Sequence, residues 1–127
     1  MTGTLLLAVA CAGAAGALSR YLLDAAIMSR THTNMAWGTW AVNLSGSFLL
    51  GVLYAASSGI GLPDTLRIAL GAGFLGAFTT FSTWMVQTMR LIEDRELRLA
   101  AFNIVGPMIA GPITALMGMM IGGWLFG

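Results

Sequence analysis

Charge is what this chain most conspicuously lacks. Of 127 residues only 9% are charged, lysine is absent, and six arginines stand against five acids for a net charge of +1. So even a balance leaves no electrostatic footprint for nucleic acid. A single cysteine, Cys11, rules out an intrachain disulfide, and a lone thiol in an apolar run behaves as a small hydrophobe. One histidine, His32, has no Cys, Asp or Glu beside it that would make a metal-ligand cluster. There is no nucleophile with a base and an orienting partner, and no phosphate-cradling loop, which argues against an enzyme.

In place of charge there are long apolar stretches. The chain is 57% hydrophobic with a mean hydropathy of +0.84, which makes a bilayer its natural solvent. A membrane span needs about 20 predominantly apolar residues, and the charged positions divide the chain into four such stretches. The reading is one all-α transmembrane domain over 1–127, with helices at about 4–28, 36–58, 64–91 and 97–125. The opening stretch has no basic residue before its apolar run, so it is read as the first span and not as a cleaved leader.

Between spans the linkers are short. Gly59, Gly61 and Pro63 mark a turn in which Asp64 is expected to cap the third helix, and the mixed-sign run Arg90 to Arg98 reads as a solvated connection. Trp37, Trp40 and Trp124 sit at span ends, where interfacial tryptophans anchor. Arg20 and Asp24, one turn apart, read either as an ion pair neutralising itself at the hydrocarbon edge or with Arg20 at an anion entrance.

Two features exceed what a merely structural bundle needs. Residues 71–84 (GAGFLGAFTTFSTW) fall mid-span and set three glycines ahead of four hydroxyls. A helix break there would free backbone carbonyls for a cation, whereas a continuous helix would turn its Thr and Ser hydroxyls back onto preceding carbonyls. Asn43 lies inside the second span and must find partners, either across helices or in a passing anion. Asn103 poses the same choice with a weaker functional claim. No Asp, Glu or Lys lies deep inside a span, so the acid that a proton-coupled small multidrug exporter requires is missing.

Residues 16–21 (GALSRY), 38–48 (GTWAVNLSGSF) and 73–83 (GFLGAFTTFST) together resemble the Fluc, or CrcB, fluoride channels, and the resemblance runs along essentially the whole chain. It implies a passive fluoride-selective channel of the cell membrane that relieves fluoride toxicity. The implied assembly is an antiparallel, dual-topology homodimer of four-helix subunits, each with a third helix broken mid-membrane. A central structural sodium ion would be held by backbone carbonyls at Gly76 and Thr79, and no organic cofactor is implied. The resemblance puts Asn43, Phe81 and Trp84 on the fluoride pathway, with Thr79, Thr80, Ser82 and Thr83 as a hydroxyl track, Gln87 beyond them and Arg20 at the vestibule.

This chain departs from the family pattern in three ways. Trp84 stands where phenylalanine is usual, Gln87 where glutamate is common, and the fourth span around residues 106–112 is poor in hydroxyls, leaving Asn103 and Thr114. Arg30, Arg90, Arg95 and Arg98 fall on one side of the membrane and Arg67 on the side of the termini. That bias keeps open one half of a heterodimer as an alternative. A non-conducting membrane scaffold and a small drug exporter are the alternatives from other classes.

Overall fold

The structure is a computed structural model, which describes residues 2–127. Its described residues are helical, and four stretches are long and apolar enough to cross a membrane: Gly3–Met28, Trp37–Gly59, Asp64–Glu93 and Leu97–Phe126. The first is helix α1 (Gly3–Met28), opened by Thr2, whose hydroxyl accepts from the Leu5 amide at 3.2 Å. Next comes α2 (Trp37–Gly59). The third stretch is compound, with α3 (Asp64–Ile68), a π-helical segment Ala69–Leu75, a short α4 (Gly76–Phe78), and then α5 (Ser82–Glu93). The fourth is the single helix α6 (Leu97–Phe126), which carries Pro107 and Pro112 inside it.

Close backbone approach explains where the glycines stand. Helices α2 and α6 pack along each other, and a Cβ added at Gly118 would lie 2.0 Å from the Phe48 carbonyl oxygen. From the other side, a Cβ at Gly51 would lie 2.1 Å from the Ala115 carbonyl oxygen. Without a hydrophobic drive between helices in lipid, such surfaces associate through this kind of contact. Helix α1 packs on the π segment and α4, with Gly16 set against the Phe74 backbone.

At one end of the bundle Met35, Leu91 and Ala100 form a buried cluster, covered by Trp37, Trp40 and Leu99. Trp40 stacks on Phe102 at 5.0 Å and donates its indole N–H to Asn103 Oδ1 at 2.8 Å. It is therefore tied into the bundle and not an interfacial anchor as its position in the span suggested. Helix α5 closes with Arg95 at φ 59°, its amide on the Ile92 carbonyl and the Glu96 amide on the Leu91 carbonyl at 2.8 Å. That is a Schellman turn, with arginine in the left-handed position that glycine prefers.

Two local expectations are corrected. Asp64 does not cap α3; the N-cap is Pro63 with no side-chain cap, and Asp64 instead pairs with Arg67 at 2.8 Å. That is the only salt bridge among the described residues, so Arg20 and Asp24 are not paired with each other. Much apolar surface stays open: within the chain only 6% of the most apolar window of α1, and of α6, is buried. A surface of that kind requires lipid or a partner against it.

Candidate functional site

The site grows from the interruption between α4 and α5. Phe78 is the last residue of α4, Thr79 is extended at φ −83° and ψ 159°, and helix resumes at Ser82. The Thr79 amide still reaches the Leu75 carbonyl at 3.0 Å, and its hydroxyl bonds back to the same oxygen at 2.9 Å. Hydroxyl back-bonding and an interrupted backbone, set against each other as alternatives in the sequence, occur together here.

Asn43 on α2 holds the interruption open. Its Nδ2 donates to the Thr80 carbonyl at 2.8 Å while its Oδ1 accepts the Thr80 amide, also at 2.8 Å. The side-chain amide thus pairs with Thr80 as a neighbouring strand would, satisfying a donor and an acceptor that a helix would otherwise have used. Because the Thr80 amide is turned to Asn43, the Gly76 carbonyl loses its helical donor. The next carbonyl in the interruption, that of Thr79, receives Arg20 Nη1 from α1 at 3.5 Å. Arg20 therefore reaches across to the break and away from Asp24, whose Oδ1 is buried and has no hydrogen-bond partner.

Two cavities flank this segment. The larger, about 380 Å³, is lined by Asn43, Gly76, Thr79, Thr80, Phe81 and Trp84, with Gly46, Ser47 and Leu50 of α2 on its wall. Phe81 is 68% exposed, so a large apolar ring stands open on one chain. Trp84 meets it edge to face, ring centroids 5.6 Å apart and planes at 88°. Gly46 makes room for the break, since a Cβ there would lie 2.4 Å from the Thr79 methyl. The second cavity, about 190 Å³, is lined by Arg20, Asp24, Thr39, Thr80 and Thr83, among others. Thr80 is common to both.

Of the residues singled out in the sequence, Asn43, Gly76, Thr79, Thr80, Phe81 and Trp84 converge on one cavity, while Arg20 and Thr83 share the other with Thr80. The Thr80 hydroxyl lies 3.1 Å from that of Thr83 and 3.4 Å from that of Ser82, and it accepts the Thr83 amide at 3.2 Å. Ser82 lines neither cavity. Gln87 lies apart, in a third cavity of about 230 Å³ with Asn34, Arg90 and Asp94, its Oε1 buried without a partner.

Sequence reasoning underweighted Asn103. It is wholly buried, accepts from Trp40, and donates to the Thr88 hydroxyl at 2.8 Å. Its backbone carbonyl accepts the Trp84 indole N–H, so that nitrogen is engaged and faces no cavity as a donor. The one signal for this hub was its amide in an apolar span.

The family description "CrcB-like protein, Camphor Resistance (CrcB)" matches residues 7–119. The chain belongs to the CrcB family. Among its CrcB relatives, a protein of Leifsonia xyli subsp. xyli named "Fluoride-specific ion channel FluC 1" is 42% identical over 123 residues, covering 97% of this chain and 90% of the relative. One from Moorella thermoacetica, named "Fluoride-specific ion channel FluC 2", is 42% identical over 118 residues, covering 93% and 96%. A third, from Nitrosococcus oceani and named "Fluoride-specific ion channel FluC", is 37% identical over 114 residues, covering 89% and 91%. This CrcB chain is accordingly a multi-pass membrane protein of a channel family, not an enzyme family.

Proposed function

We propose that the chain forms a fluoride-specific channel that lets fluoride leave the cell down its gradient. Kinship with proteins named fluoride-specific ion channels supports the ion, and the four apolar spans support the membrane setting. The observation that carries the mechanism is the Asn43–Thr80 pairing, which holds the backbone open between α4 and α5 beside an exposed phenyl ring.

Fluoride sheds water only where donors replace it. The Arg20 guanidinium, the Thr80 and Thr83 hydroxyls and the second Nδ2 proton of Asn43 supply donors on the two sides of the break. Between them the rings of Phe81 and Trp84 supply positive edges, which attract an anion without holding it as a full charge would. Weak successive contacts allow passage, while strong ones would trap the ion.

The finer architecture is an antiparallel dimer with the break at mid-membrane. An exposed Phe81 and the open apolar faces of α1 and α6 are what a second copy and lipid would cover. A sodium ion suits the break: the Gly76 carbonyl lacks its helical donor, the Thr79 carbonyl has only a long contact to Arg20, and neutral oxygens are the ligands a hard cation takes. Gly76 and Thr79 would hold it, doubled by symmetry in a two-fold dimer. The ion would supply fixed positive charge that stiffens the break. A second reading, one half of a heterodimer, is favoured by the arginines, since Arg30, Arg90, Arg95 and Arg98 share a side. Uniform orientation of tagged protein in cells would select it over the homodimer.

Reconstituted protein should release fluoride from liposomes far faster than chloride. Phe81→Ile should cut that flux with the assembly intact. Absence of fluoride release, or unchanged flux in this variant, would remove respectively the function or Phe81 from the pathway.

A further inference from the structure

An α-helical carbonyl accepts the amide of the residue four positions on. In α6 the partner due to the Asn103 carbonyl is therefore residue 107, which is proline and has no N–H to give. Asn103 is wholly buried, so its carbonyl would be left without water or an amide, at a position where an unpaired group is costly. The Trp84 indole N–H, from α5, donates to that oxygen.

We propose that Trp84 and Pro107 are a matched pair. The indole N–H takes the place of the amide that Pro107 removes, and the proline leaves vacant the acceptor that fixes the indole where it lines the larger cavity. Pro107 is thus a positioning residue, acting through the Asn103 carbonyl on a ring it does not itself replace. The surrounding bonds lock the arrangement: Asn103 Nδ2 donates to the Thr88 hydroxyl at 2.8 Å, and that hydroxyl donates to the Trp84 carbonyl at 2.9 Å. A closed loop of three bonds then joins α5 to α6, and Trp40 fastens the same amide to α2. With its nitrogen engaged, the ring turns carbon edges, not a donor, toward Phe81 and the cavity.

Proline alone does not produce this. Pro112 removes the amide due to the Met108 carbonyl in the same way, yet Met108 is exposed and no tryptophan reaches it. The pairing also accounts together for two departures from the family pattern, an indole in place of phenylalanine and a fourth span that has prolines where hydroxyls are expected.

The test is a double-mutant cycle on the full chain, read by thermal unfolding in detergent and by fluoride efflux from liposomes. Trp84→Phe should lower the unfolding midpoint, and adding Pro107→Ala, which supplies the missing amide, should restore it to near the wild-type value. A double variant no more stable than Trp84→Phe overturns the pairing. Should Trp84→Phe yield no folded protein, recovery of folded protein in the double variant is the supporting result and its failure the refuting one.

A second measurement needs no loss of the ring. Of the four indole N–H resonances, one per tryptophan, that of Trp84 should move when Pro107→Ala brings a competing donor to the same oxygen, and an unmoved resonance overturns the proposal. The transport arm rests on the reading of Trp84 as part of the fluoride path, with Trp84→Phe expected to slow efflux about fivefold or more, the low end of what an orphaned buried carbonyl implies. Midpoints that follow the cycle while efflux stays at the wild-type rate uphold the pair and remove position 84 from the path. Midpoints that do not follow it refute the pair, whatever the efflux.

Discussion

Replacing Asn43 by aspartate alters almost nothing in shape and one thing in chemistry. The amide donates to the Thr80 carbonyl and accepts its amide, both at 2.8 Å, whereas an ionised carboxylate can only accept. In the Asn43→Asp variant the Thr80 carbonyl therefore loses its donor and faces a second lone-pair oxygen. An unpaired buried acceptor costs about 1–3 kcal/mol, which lowers the population of the paired conformation about fivefold to more than a hundredfold. A negative charge beside the path repels fluoride as well, so efflux at neutral pH should fall by at least that factor.

Protonation should reverse the loss. A neutral carboxyl again has one O–H to give and one oxygen to receive with, so the variant should regain flux as pH falls through its carboxyl pKa. Asn43→Leu, which cannot regain a donor, should stay low at every pH. The assay is fluoride efflux from liposomes over a pH series, with protein-free vesicles to measure the leak of hydrogen fluoride. A flux unaffected at neutral pH, or a loss in Asn43→Asp that acid does not relieve, would refute the pairing as the device that holds the break open.

Other predictions concern the frame around that device. Gly118→Ala puts a Cβ 2.0 Å from the Phe48 carbonyl oxygen and should destabilise the α2–α6 contact by about 1–3 kcal/mol, visible as a lower unfolding midpoint. Arg95→Gly, at φ 59°, should raise that midpoint by about 1 kcal/mol of stability, because only glycine enters the left-handed region without steric cost. Arg20→Gln withdraws a cation from the Thr79 carbonyl and from the smaller cavity. It should lower fluoride efflux more at low than at high ionic strength, and a loss independent of salt would show that Arg20 acts by contact alone.

The four spans could be read from the sequence because length and hydropathy decide them and the few charges fall at their ends. Asn43 could be read too, since an amide in hydrocarbon must be satisfied. The partner it found, the backbone of Thr80, was hidden by 37 residues of separation. The same distance problem concealed Asn103 as the acceptor for Trp40, 63 residues away, and so made Trp40 look interfacial. Arg20 and Asp24 share a helical face by spacing, but a carbonyl released by a break on another helix competes for the guanidinium. The π turn of Ala69–Leu75 left no trace, because its glycines carry the same signature as ordinary close packing.

That π turn has a consequence for how the chain tolerates change in length. Its backbone closes each ring one residue later than an α-helix does, so the stretch 69–75 carries more sequence per turn than the flanking helix. Deleting a single residue there would let the coil tighten into regular α geometry with little change in reach, yet everything downstream would rotate by about 100°. Such a deletant would insert, span and even dimerise, while aiming its oxygens and its phenyl ring at the wrong neighbours.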